Sequence, residues 1–300
     1  MDGAEKVKLA LDETRMLVLG IQVLLGFQMR SAFEDKFEKL PGHTQALDAI
    51  ALMLMVLVVA LLIAPAIHHR VVDQGEAAAR TLRGISVAME LALLAFAISL
   101  GINIFMAIEQ MWDVYWGTLA GVTAAGTALA FWFGLEWLAM QRGEGKPLKL
   151  KDEQIPLPKK IDQMLTEARV ILPGALALLG FQLAVVLTQA FDQLPALSKA
   201  AHAVALLMVA LSTVLLMTPA AYHRIVYAGE ASQRFLELAG RFIVAATVAL
   251  ALGLAADVYV VTTKIAGSPS IGTIAAALAL AVLTGLWHVS PLVLRASARR

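Results

Sequence analysis

The chain has 300 residues, 59% of them hydrophobic and only 16% charged, with 24 basic and 23 acidic residues for a net charge of +1, and no cysteine. Mean hydropathy is +0.75. These values exclude a disulfide scaffold, a thiolate metal site, a cysteine nucleophile and a disordered or nucleic-acid-binding chain, and they point to a polytopic membrane protein.

A helix that crosses hydrocarbon roughly 30 Å thick needs about 20 mostly apolar residues. Eight segments satisfy this in chain order: 16–33, 47–67, 85–108, 114–140, 170–189, 201–222, 242–262 and 271–294. Alanine and leucine dominate them, with no alternation of apolar and polar residues, so an outer-membrane barrel is excluded and an all-α membrane helix bundle is predicted. The first fifteen residues mix acids and bases (Asp2, Glu5, Lys6, Lys8, Asp12, Glu13, Arg15). They make a poor signal-peptide n-region, and no small-residue cleavage site follows, so the first span is read as retained.

Basic residues orient the bundle. Only Arg30, Lys36, Lys39, Lys199 and Lys264, of 24 lysines and arginines, fall on the side opposite the N-terminus. The rest lie with the two termini, which this bias places in the cytoplasm.

Shifting the chain by 154 residues aligns 11–82 with 165–236 without a gap, at 29 of 72 identical positions. Alanine and leucine matches carry little weight, but Glu13, Arg15, Gly20, Gly26, Phe27, Gln28, Pro65, His69, Arg70, Glu76 and Arg80 all find identical partners. The reading is a duplication: residues 1–140 and 161–300 as four-helix repeats, joined by a charged, proline-containing linker at 141–160. An even number of spans per repeat makes the two parallel, related by a pseudo-two-fold along the membrane normal rather than by inversion.

The repeated motifs carry a resemblance. Glu-x-Arg precedes the first span, Leu-Gly-Phe-Gln lies within it (25–28 and 179–182), and a proline four residues before His-Arg closes the second span (Pro65, His69, Arg70; Pro219, His223, Arg224). Together they resemble a family of small bacterial four-helix membrane proteins known only as a domain of unknown function. The first repeat departs from it by carrying His68 where the second has Tyr222. The resemblance implies a bacterial inner-membrane location and supplies no activity.

Two groups of polar residues are candidate sites. On the cytoplasmic rim stand Glu13, Arg15, His69, Arg70, Glu76 and Arg80, with Glu167, Arg169, His223, Arg224, Glu230 and Arg234 as their repeated partners. They read as ion pairs and helix-end hydrogen bonds that fix each unit, with Arg heads meeting lipid phosphate; the sharper alternative is a site for an anionic ligand. Within the spans are Gln28, Gln182, Asn103, Asp257, Glu90 and Glu136. Counting from a span that begins near residue 16, Gln28 and Gln182 sit about 18 Å up their helices. There a buried amide either bonds a neighbouring helix or lines a path. Glu90 and Glu136 lie near Arg83 and Arg142, and Asp257 aligns with Asn103 near the outer end. Gly117 and Gly121 form a GxxxG in the fourth span, read as helix packing.

The histidines do not pair at matched depth across one repeat; His43 and His202 read as outer-loop residues, so no haem or other cofactor is expected. Gly143–Lys146 lacks the remaining parts of a phosphate loop. No nucleophile–base or metal-ligand spacing is present, and the chain is read as a non-enzyme. Two functional classes then stand: a structural, accessory or regulatory membrane protein, and a channel or small-solute transporter with its path at the repeat interface. The partner is the lipid bilayer, with a second copy or another membrane protein left open and no nucleic acid.

Overall fold

The computed structural model describes residues 3–72, 79–134, 137, 141, 156–226 and 231–297. Among these, the side chains of 3–13, 15, 16, 69–71, 79–82, 224–226, 295 and 297 are outside the description. All regular structure in the described residues is helical. In chain order it comprises α1 (Gly3–Ser31), a 3₁₀ turn (Phe37–Lys39), α2 (Gly42–Val71), α3 (Ala79–Glu109) and α4 (Val114–Leu129), which runs on into a π-helical turn (Ala130–Gly134). The second half supplies α5 (Leu157–Val185), the short α6 (Gln189–Asp192), α7 (Ala196–Val226), α8 (Gln233–Ala266) and α9 (Pro269–Thr284). A π-turn (Gly285–Val289) and α10 (Ser290–Ser297) follow.

Among the described residues, seven helices are long and apolar enough to cross a membrane, and α1 adds a shorter apolar stretch, Leu17–Ser31. The fold is thus an all-α polytopic membrane bundle, in which each helix satisfies its own backbone where water is absent. Asp113 caps α4, its Oδ1 accepting from Tyr115 N (2.9 Å) and Trp116 N (3.0 Å). Gly267, at φ +60°, ends α8 in the left-handed conformation that glycine adopts without strain. The expected linker ends earlier than 160, because Pro156 starts α5 and places Lys159 and Lys160 on the helix. Residues 142–155 lie outside the described residues.

The two repeats meet through their first helices. Phe181 of α5 covers Gly26 of α1, and Gln22 of α1 fills the space over Gly174 of α5, both too close for a Cβ. The numbers rise together along both helices, so α1 and α5 run parallel, as equivalent helices related along the membrane normal must. Val18, Ile21 and Leu25 on one side and Ile171, Ala175 and Leu178 on the other are all buried in this core. A second tie crosses from α2 to the π-turn after α9, where the fully buried Trp287 donates its Nε1–H to the Ala60 carbonyl at 2.9 Å.

Within the first repeat, α3 and α4 pack at backbone distance. A Cβ on Gly121 would lie 2.6 Å from the Gly101 carbonyl, and one on Gly117 would lie 2.9 Å from the Phe105 carbonyl. The GxxxG of the fourth span is therefore a packing motif. Large apolar side chains left exposed, such as Val122, Phe131, Leu207, Val214 and Ile274, cover the outside of the bundle. That is the surface expected of a protein solvated by lipid.

Candidate functional site

Each repeat gathers polar side chains near the ends of its helices that lie away from the N-terminus. Both glutamines sit three residues before a helix end, Gln28 on α1 and Gln182 on α5. The apolar stretch of α1 does begin near residue 16, at Leu17, but the helix ends at Ser31, so Gln28 occupies its last turn.

In the second repeat the cluster is closed. Gln182 Nε2 donates to Asp257 Oδ2 at 2.6 Å, joining α5 to α8. His202 on α7 places Nε2 3.1 Å from the Gln182 carbonyl and Nδ1 3.7 Å from Asp257 Oδ1. Gln182, His202 and Asp257 are all buried, and the Phe191 ring meets His202 edge-on with centroids 5.1 Å apart. Met29 and Phe33 from the end of α1 cover the group, leaving a cavity of about 10 Å³. His202 is therefore a buried helical residue, not a loop histidine, and Asp257 does not sit at an interface with water.

The first repeat uses the same positions differently. Asp48 stands where the alignment places His202, and Asn103 where it places Asp257. Gln28 Nε2 donates to the Asp48 backbone carbonyl at 3.1 Å, and Ser31 Oγ donates to Asp48 Oδ1 at 3.2 Å. Asn103 turns back on its own helix, its Nδ2 donating to the Ser99 carbonyl at 2.8 Å. Asp48 is buried, and its Oδ2 has no hydrogen-bond partner among the described residues. A cavity of about 350 Å³ remains, lined by Asp48, Gln28, Ser31 and Asn103 and walled by apolar side chains including Phe27, Phe37 and Phe96.

The remaining candidates do not join these clusters. Glu90 is exposed on α3 beside the exposed Val87 and Leu91, and Glu136 lies outside the described residues. Of the residues expected on the cytoplasmic rim, Glu167 is buried on α5, while Arg169 and Arg234 are exposed. His223 stacks on Phe235 with centroids 4.5 Å apart. The side chains of Glu13, Arg15, His69, Arg70, Arg80 and Arg224, together with Glu76 and Glu230, lie outside the described residues.

Several polar contacts escaped the sequence reading. Asp48 and His202 carry the clusters, and the signal that could have found them was the 154-residue alignment itself, which sets one above the other. His43, the second residue of α2 and not a loop residue, meets Glu109 at 2.8 Å; Thr44 Oγ1 donates to the other Glu109 oxygen at 2.8 Å. Between the repeats, Lys264 donates to Glu38 at 2.9 Å, which holds the Glu38 carboxyl below its ordinary range.

These features define a class: a polytopic membrane protein made of a duplicated helical unit, with a buried polar cluster at equivalent positions in each copy. The chain belongs to a family of unknown function, DUF6328, which it matches twice, over residues 6–140 and 153–291. No curated protein and no solved structure matches it.

Proposed function

We propose that this is a non-enzymatic integral protein of the bacterial inner membrane, both termini cytoplasmic, with a structural, accessory or regulatory role. The observation that carries the reading is the closed repeat interface. Phe181 over Gly26, Gln22 over Gly174 and apolar side chains from both first helices occupy the space where a path between repeats would run. A conducting route needs continuous polar or hydrated lining. The orientation rests on the one-sided distribution of lysine and arginine.

Liposomes reconstituted with the full chain test the role. We expect no H⁺, Na⁺ or K⁺ flux above empty liposomes under a gradient or an applied voltage. Flux that Gln28→Leu or Gln182→Leu abolishes would overturn the reading. Because the chain has no native cysteine, single cysteines introduced near each terminus test topology directly. Both should react with an impermeant maleimide only after the membrane is opened.

Transport is the second reading, favoured by the 350 Å³ cavity beside Asp48. Its path would run within the first repeat, not between the two.

A further inference from the structure

We infer that the cavity of the first repeat is a binding site for a lipophilic ammonium: a single protonated amine carried on an aryl or alkyl body. The second repeat supplies the precedent. There a buried carboxylate, Asp257, is met by an N–H donor from Gln182 at 2.6 Å and approached by the His202 ring at 3.7 Å, and the space is filled by Met29 and Phe33. In the first repeat the carboxylate has moved to the position of that histidine. Asp48 has the Ser31 hydroxyl on Oδ1 and the Gln28 amide beside its carboxyl, no hydrogen-bond partner on Oδ2 among the described residues, and an open cavity of about 350 Å³ beside it. What the chain provides for itself in one repeat, it leaves for a ligand in the other.

The reason for the opening lies in the two helix ends. Met29 and Phe33 are buried over the second cluster. Their equivalents, Leu183 and Leu187, are 53% and 88% exposed and cover nothing in the first.

The chemistry of the walls selects the ligand. A buried carboxylate is costly without a cationic or hydrogen-bonding partner. One acid calls for one positive charge. The orphaned oxygen calls for an N–H donor, which a quaternary ammonium lacks. Phe27, Phe37 and Phe96 offer apolar surface to the body of a cation. The volume falls in the range of small-molecule pockets, roughly 300–1,000 Å³. Calcium is disfavoured, since Asp48 is the one acid named in the lining and leaves its second charge unmatched.

The test is equilibrium binding of tritiated 4-phenylbutylamine to the purified full chain. Saturable binding at one site per chain is expected, weakened at least about tenfold by Asp48→Asn. The matched alcohol, 4-phenylbutanol, and the trimethylammonium analogue should each bind at least about tenfold more weakly. Asp192→Asn, a charge change on the exposed surface of the second repeat, serves as the control for net charge and should bind as wild type. Ala107→Trp, which fills the cavity from α3, should abolish binding and provides the test if Asp48→Asn does not fold. Absence of saturable binding up to millimolar probe, equal affinity for the alcohol, unchanged affinity in Asp48→Asn, or retained binding in Ala107→Trp overturns the inference. Displacement by nanodiscs of phosphatidylethanolamine but not phosphatidylcholine would identify the amine source as a lipid headgroup, and no displacement would identify it as a free amine; both support the site. Binding without flux leaves the non-conducting role in place, so the two proposals fail separately.

Discussion

Replacing Gln182 by leucine isolates the energetics of the closed cluster. Leucine is close to glutamine in volume, so the substitution opens little space. It removes the Nε2 donor that lies 2.6 Å from Asp257 Oδ2, in a site where both residues are buried. A buried acceptor left without its donor costs about 1–3 kcal/mol, and a carboxylate lies toward the upper end. Asp257→Leu orphans the glutamine amide instead and should cost a similar amount. The double variant leaves no orphan across the α5–α8 contact, while His202 retains the backbone carbonyl of residue 182. Replacing both partners by apolar groups is nearly neutral. The expectation is therefore strong non-additivity: the double variant should be more stable than either single, with a coupling of about 1–3 kcal/mol. Equilibrium unfolding of the full chain in mixed micelles, followed by tryptophan fluorescence for all four members of the cycle, measures it. Additive losses, or a Gln182→Leu loss below about 0.5 kcal/mol, would refute the assignment of this contact as an energetic tie between helices.

Glycine contacts on α4 set up a matched pair: Gly121→Ala should cost about 1–3 kcal/mol because its Cβ would meet the Gly101 carbonyl at 2.6 Å. Gly126→Ala on the same helix, with nothing within 4 Å, should be neutral or slightly stabilising in the same micelle assay. Trp287→Phe, which gives up the bond to the Ala60 carbonyl, should lose about 1–3 kcal/mol. Trp116→Phe at an exposed site should stay within about 0.5 kcal/mol of wild type. The Lys264–Glu38 tie has a defined pH dependence, since the folded carboxyl lies below its ordinary 4.5. Its stabilisation is complete above that value and disappears as pH falls through the lower folded one. Lys264→Gln should thus be less stable than wild type at pH 6, and the two should converge under acid titration of the unfolding midpoint.

Helices and repeats were legible because both signals are long. Runs of about 20 apolar residues report a span whatever their detailed packing, and twelve matched polar, glycine and proline positions report a duplication. Helix ends were less legible. Residues 3–15 of α1 are interrupted by charges (Glu5, Lys6, Lys8, Asp12, Glu13, Arg15), so hydropathy starts the helix late, although the backbone continues unbroken from Gly3. The other end matters more for Gln28: α1 stops at Ser31, which puts Gln28 in the final turn. Asp48 and His202 were missed for a related reason: each lies within two turns of a helix start, where a polar residue suggests the water-facing end of a span. Their burial depends on α1, α3, α5 and α8 closing around them, which no local pattern encodes. The glycine contacts stood in between. GxxxG announced the close approach of α3 and α4, whereas the seating of Phe181 on Gly26 is asymmetric: Gly180, with the same motif, meets nothing within 4 Å.

That asymmetry connects the interface to the two clusters. If the repeats packed with exact two-fold symmetry, Phe27 would lie over Gly180 as Phe181 lies over Gly26. Leu183 and Leu187 would then cover the first cluster as Met29 and Phe33 cover the second. Instead α1 closes one site and α5 leaves the other open, with Leu187 88% exposed. The substitutions follow the packing. Where the cover exists, the acid is on α8 within reach of an amide and an imidazole from the same chain. Where it does not, the acid is on α2, beside a cavity with apolar walls. A duplicated unit whose two copies had only to hold each other together would have no need to exchange the acid between helices. Relocating a buried carboxylate risks several kcal/mol if it is left unpaired, and retaining Asp48 in the open copy therefore marks that copy as the one that meets something from outside the chain.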